Sequence, residues 1–236
     1  MRVAATLAYD GTHFFGSQIQ SEQSETVFGR FESALESLGI FCRVVASGRT
    51  DAGVHATAQV CHFDLPPYWS DTQELKRRLN QKLPSSIVVK KIVAVDSAFH
   101  ARYSAKKRSY RYIIKVGAPN PFMANYVTFV ESLDFEAVVA KMPLFIGKKD
   151  FAAFRKKGSD ENSTIREIYR AFAYRHRGYI ILHFEANGFL RSQIRLMVAA
   201  LLHLSSAEIE ERFASQTQRA LKPASANGLY LARIRY

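Results

Sequence analysis

The chain begins with an apolar and alternating stretch, Arg2 to Tyr9, that reads as a β-strand ending at the turn Asp10-Gly11. Apolar residues then recur at helical spacing. Val27, Phe31, Ala34, Leu35 and Leu38 fall on one face of a helix predicted over Thr26 to Leu38. Strands are expected at Phe41 to Ala46 and Thr57 to Leu65, separated by a loop from Gly48 to Gly53. Asp71 is placed to cap a helix through Lys82, which Pro84 stops, and the β-branched run Ile87 to Val95 closes the first half.

The order then recurs. Ser109 to Val116 alternates as a strand, and Asp134 can cap a short helix through Met142. Ile165 to Arg177 and Tyr179 to Ala186 form a predicted hairpin turning at Gly178. Phe189 to His203 carries Leu190, Ile194, Met197, Val198 and Leu201 along one helix side, and Gly228 to Tyr236 supplies a last strand. Each half reads β-α-β-β-α-β, so the expected fold is α+β: two split βαβ halves, RRM- or ferredoxin-like, with a central basic cleft. The boundary is expected between Asp96 and Lys107. That gives an N-terminal half over 1–105 and a C-terminal half over 106–236.

Composition narrows the partners. Lys and Arg number 33 against 21 Asp and Glu, for a formal net charge of +12 and a pI near 9.8. Such a surface attracts polyanions and gains free energy from counterion release, which points to nucleic acid, with anionic lipid or the ribosome as competing partners. No apolar run approaches the ~20 residues of a membrane span, and the amino terminus lacks a signal h-region. A soluble cytoplasmic protein is expected. Two cysteines, Cys42 and Cys61, make neither a disulfide framework nor a four-thiolate zinc site, and Cys42 reads as a buried free thiol. The seven histidines show no metal-binding spacing, so no metal is expected.

The candidate chemistry lies in Gly48-Arg49-Thr50-Asp51-Ala52-Gly53-Val54-His55. Two glycines bracket one acid and one arginine. Taken alone, Asp51 fits either a turn residue bonding its own backbone or a reactive carboxylate that Arg49 keeps ionised. Basic runs recur along both halves, among them Lys76-Arg77-Arg78 and Lys148-Lys149. Lys106-Lys107-Arg108 differs by directly preceding Tyr110, where phosphate contacts could align a strand beside a base.

Longer blocks resolve the choice. GRTDAGVHA (Gly48 to Ala56) resembles the active-site motif of the TruA family of tRNA pseudouridine synthases. AYDGTHFFGSQ (Ala8 to Gln18) and LPSSIVVKKIVAVDSAFHARYSAKKRSYRYII (Leu83 to Ile114) resemble that family's first strand and central block. NGFLRSQIRLMVAALL (Asn187 to Leu202) and ANGLYL (Ala226 to Leu231) resemble its late helix and final strand. The resemblance implies isomerisation of uridine to pseudouridine at positions 38 to 40, in the anticodon stem-loop of tRNA, by a homodimer; that reaction involves no redox change and no hydrolysis, so no small-molecule cofactor is expected. It implies that Asp51 is the catalytic nucleophile, that Tyr110 packs on the target base and aids proton transfer, and that Arg49 helps hold the flipped-out conformation. Arg195 then corresponds to the basic residue that pairs with the aspartate. Arg102, Lys106, Lys107 and Arg108 are further candidates for contacting RNA.

The chain departs from the family pattern at Ser17, where a tryptophan is usual, in TVFGRF (Thr26 to Phe31), and in LRSQIR (Leu190 to Arg195). Two rivals differ in what they require. A non-catalytic RNA-binding protein gives no reason for the glycine-bracketed acid. A metal-dependent nuclease or phosphodiesterase needs clustered carboxylates, and none stand out.

Overall fold

A computed structural model describes residues 1–20, 25–156, 158, 163–215 and 221–236. Among these the chain is a mixed α+β protein with mainly antiparallel strand pairing and five α-helices. It divides into two compact units, Met1–Lys106 with Tyr230–Tyr236, and Lys107–Leu229.

In the first unit the order is β1 (Arg2–Tyr9), α1 (Val27–Glu36), β2 (Val45–Ala46), β3 (His55–Asp64), α2 (Thr72–Lys82) and β4 (Ile87–Ala94). Strand β1 lies between β3 and β4, antiparallel to both. The alternating residues Val3, Ala5 and Leu7 are fully buried, and opposite them stand Phe63, Cys61 and Gln59 of β3. The apolar stripe of α1 closes over this row, with the Phe31 ring edge-on to Phe63 at 5.8 Å. Both helices start where a side chain satisfies exposed amides: Thr26 accepts from Gly29, and Asp71 from Gln73 and Glu74. The Asn80 side chain bonds both backbone groups of Val89, at 3.0 and 2.8 Å, which ties α2 to β4.

The second unit contains β5 (Lys107–Val116), β6 (Thr128–Val130), α3 (Phe135–Lys141), β7 (Gly147–Asp150), β8 (Ile165–His176), β9 (Tyr179–Ala186), α4 (Gln193–His203) and α5 (Ser206–Ser215). Its strands pair antiparallel in the order β5-β9-β8-β7, with β6 parallel to β5. The β8–β9 hairpin turns at Arg177 and Gly178, both at positive φ (49° and 79°), the twist a two-residue hairpin requires. Helix α4 is buried from Gln193 to Leu201 except at Arg195. Phe145, Phe151, Phe154 and Phe213 form an aromatic cluster, mostly edge-to-face.

Several expectations need correction. The strand predicted from Phe41 shrinks to Val45–Ala46, because Glu32 takes the Val44 amide at 2.8 Å and Phe41 faces solvent. Cys42 is accordingly half-buried, and the fully buried thiol is Cys61. Helix α4 starts at Gln193 and not at Phe189, since Ser192 adopts φ 57°. The final strand β10 (Leu229–Arg235) was expected to close the second half. Its residues from Tyr230 group with the first unit, where Tyr230 and Leu231 run parallel to His55 and Ala56 of β3. No helix among the described residues is long and apolar enough to cross a membrane.

Two buried phenols give the fold an alkaline limit. Burial pushes Tyr9 up to about 12 and Tyr112 likewise up to about 12, from an ordinary value of 10.0. Tyr112 is held by Thr128 at 2.7 Å and the Ser225 carbonyl at 2.9 Å. The unfolded chain loses these protons first, so stability is intact below pH ~10 and declines as the pH rises towards ~12. Denaturant unfolding across that range should show the decline. Tyr112→Phe should cost ~1–2 kcal/mol at neutral pH yet make the alkaline decline shallower; an unchanged decline would count against the burial argument.

Candidate functional site

The loop from Ser47 to Val54 leaves β2 and enters β3, and the segment following β1 grips it. Thr50 donates its amide to the Ser17 hydroxyl at 2.9 Å, and Ser17 returns its own amide to the Thr50 carbonyl at 3.1 Å. The Thr50 hydroxyl meets the Tyr9 phenol at 2.8 Å. Thr50 and Ser17 are 6% and 1% exposed, so these bonds are made out of reach of competing water. Below them Gln59, fully buried, accepts from the Ser47 hydroxyl at 2.7 Å and donates to the Gly48 carbonyl at 2.9 Å. Asp51 accepts the Val54 amide on its carbonyl at 3.1 Å, and Gly53 completes the turn at φ 77°.

Two glycines let the segments come this close. A Cβ on Gly11 would lie 2.1 Å from the Val54 carbonyl oxygen, and one on Gly16, at φ 100°, would lie 3.0 Å from that of Thr50. His55 anchors the exit of the loop. Its buried ring stacks on Tyr230 at 4.7 Å and 23°. Its Nδ1 stands 3.0 Å from the Gly11 amide and 3.2 Å from the Asp10 carboxylate. One ring nitrogen serves one of these at a time: Nδ1 accepts from Gly11 when it carries no hydrogen and donates to Asp10 when it does. The result is a half-buried acid, Asp51, beside an exposed Arg49, on a backbone fixed on both flanks.

The other sequence-derived candidates are distributed as follows. Arg102 and Lys106 belong to the first unit and are exposed. Tyr110 lies on β5 of the second unit, 7% exposed, opposite Phe184 and edge-on to Phe189 at 5.3 Å. It shares a buried strand face with Tyr112 and Ile114, whereas Val116, next on the same face, is exposed. Arg195, on α4, donates through Nε to the Ala224 carbonyl at 2.6 Å, and its charge draws the raised Tyr112 phenol back down. Lys107 faces the buried Glu185 at 3.6 Å and the Tyr169 ring at 4.8 Å, while Arg108 donates to the Asn187 carbonyl at 2.7 Å. Among the described residues, no group of three or more His, Cys, Asp or Glu is placed to hold a metal ion.

The profile of a protein family described as tRNA pseudouridine synthase matches residues 5–104 and 142–236. The chain belongs to this family. A tRNA pseudouridine synthase A from Wolinella succinogenes is 40% identical over 237 residues, covering 98% of this chain and 93% of that protein. A namesake from Campylobacter jejuni strain RM1221 is 39% identical over the whole of both chains, and one from Geobacillus sp. is 39% identical over 100% of this chain and 98% of its own. Members of the family are isomerases that convert uridine to pseudouridine. The family match spans the Asp51 loop and the segment that grips it, runs on to Ser104, then resumes before α4 and covers Arg195. Tyr110 itself falls in the unmatched interval, although the full-length relatives align across it.

Residues that the sequence reading passed over carry the loop: Ser17, Thr50, Tyr9 and Gln59. Ser17 had shown only as a departure from the family pattern, and no spacing rule marks Gln59. The available signal was the pair Gly11 and Gly16 in a short turn, which flags a close backbone approach. The Ser17 anchor is testable. Ser17→Ala leaves the buried Thr50 amide without its acceptor, a loss of ~1–3 kcal/mol. Turnover on tRNA should fall at least several-fold while tRNA affinity holds. Unchanged turnover would show that the Asp51 loop does not depend on this bond.

Proposed function

We propose that this enzyme isomerises uridines at positions 38 to 40 of the tRNA anticodon stem-loop, with Asp51 as its catalytic carboxylate. The observation that carries the reading is the fixed Gly48–Gly53 loop, which presents a single acid beside Arg49 within the family's matched span. The chemistry needs one such group. The N1–C1′ bond of the uridine breaks, the base turns, C5 bonds to C1′, the C5 proton leaves and N1 gains a proton. Nothing is oxidised and no water is consumed. A carboxylate can form a transient adduct with the nucleotide or offset positive charge on the sugar.

The target atom of a stacked uridine is out of reach, so the base is flipped into a pocket and held by an aromatic face. Tyr110 is assigned that face, with its phenol close enough to the base to move a proton. Arg49 is assigned to hold the flipped strand, and Arg195 to stabilise the carboxylate. Arg102, Lys106, Lys107 and Arg108 are assigned RNA contacts; of these, Arg102 and Lys106 are the more accessible to phosphate. The split βαβ organisation is supported in the first unit by antiparallel β4-β1-β3 pairing with β2 added to β3. A cytoplasmic homodimer is proposed on family resemblance alone.

The test is tritium release from tRNA labelled at uridine C5, run with chelator. Wild-type protein should release tritium, while Asp51→Asn releases none and still binds tRNA. Equal release by the Asp51→Asn protein would sink the assignment, and release abolished by chelator would favour metal-dependent chemistry. For Tyr110, Tyr110→Phe keeps the ring and removes the hydroxyl. A fall of ~10²-fold or more in single-turnover rate is expected; a near-wild-type rate restricts the residue to stacking.

A further inference from the structure

Tyr103 presents an aromatic ring to solvent that the surrounding loop has already fixed in place. It is 76% exposed, yet it stacks on His100 at 4.3 Å with the planes 29° apart. The His100 ring is itself immobilised. Its Nδ1 accepts from the amides of Arg102 and Tyr103, both at 3.2 Å, and its backbone amide donates to the Ser104 hydroxyl at 3.1 Å. The Ser104 amide returns to the His100 carbonyl at 2.9 Å. Behind His100 lies His62, 4.9 Å away and 5% exposed, whose Nδ1 accepts from the Ala101 amide at 3.1 Å. Tyr236 donates its hydroxyl to the Ala101 carbonyl at 2.9 Å and packs on Phe99 at 4.8 Å. The loop is thus bonded to β3 and to the last residue of the chain, and Tyr103 is its projecting tip.

A lone exposed tyrosine is ordinary and needs no ligand to account for it. Tyr103 differs in two respects. Its orientation is set in advance, so stacking another ring on it freezes little side-chain motion. It also sits among positive charge: the Arg102 guanidinium lies over the ring, 5.6 Å from its centroid, and Lys106 lies three residues on in a protein of net charge +12. An aromatic face with cations beside it matches the two parts of an unpaired nucleotide, the base and its phosphate.

We propose that Tyr103 is a stacking platform for an unpaired base of the RNA substrate, with the Arg102 guanidinium moving aside from the ring to take the adjacent phosphate. The inference rests on RNA being the substrate, and adds a binding contact apart from the Asp51 chemistry. The base lies on the exposed ring, and the His100 ring beneath backs it. Contact with any base satisfies the ring, so this contact contributes affinity with little sequence preference.

Binding of a tRNA transcript to Tyr103→Ala, Tyr103→Phe and Tyr103→Trp proteins, read without turnover, tests the proposal. Tyr103→Ala should raise Kd and KM roughly 5- to 100-fold and leave kcat at saturating tRNA unchanged; Tyr103→Phe should stay near wild type. In Tyr103→Trp the new indole should be quenched by tRNA beyond any change at Trp69, the only tryptophan of the native chain. Arg102→Ala should lower the slope of log Kd against log salt by about 1, whereas Tyr103→Ala leaves that slope alone. Unchanged Kd in Tyr103→Ala, or an indole indifferent to tRNA, overturns the platform. A fall in oligomer mass that tracks the lost affinity assigns the ring to a contact between copies and overturns it as well. Failure of the isomerase reading would show separately, as absence of tritium release by wild-type protein.

Discussion

Thr50 and Ser17 exchange two hydrogen bonds across the gap between the Asp51 loop and the segment after β1, and the geometry of that loop depends on the exchange. The bonds form only because two backbones approach where side chains would collide, at Gly11 and Gly16. They last because Tyr9 and Gln59 seal the underside, each buried and each spending its polar atoms on the loop. A buried polar network of this kind is stable when its members are bonded and costly when one is removed. The carboxylate therefore sits on a rigid backbone although it lies in a loop, which suits the catalytic role proposed for it.

The same arrangement relates fold to chemistry. Strand β1 supplies Tyr9 from its last residue and the turn with Gly11 and Gly16 just beyond. Strand β3 supplies Gln59 and His55, and β10 supplies Tyr230 for the His55 ring to rest on. Three strands distant in sequence meet around one loop. The parallel pairing of β10 with β3 thus has a local consequence: it places an aromatic ring against the residue that ends the loop.

Elements with strong local signals were legible in the sequence. Strand β1, helix α1, helix α2 with its cap at Asp71, and the β8–β9 hairpin fall where spacing and turn chemistry place them. What escaped was decided by distant partners. β2 is cut short by a side chain of α1, and β6 and β7 are too brief to show a period. The destination of β10 depends on which edge is open, which no local pattern encodes. The site followed suit. Asp51 stands out through its glycines and its motif, while Gln59 and Ser17 are polar residues whose role exists only once the strands have assembled.

The central claim is that the Asp51 loop carries out an isomerisation, neither a cleavage nor a hydrolysis. Nucleoside analysis of a tRNA transcript incubated with the purified protein tests this most directly. The account predicts that each uridine lost reappears as pseudouridine, with chain length unchanged and no free uracil. Free uracil, shortened RNA, or the same conversion by protein lacking the Asp51 carboxylate would contradict it.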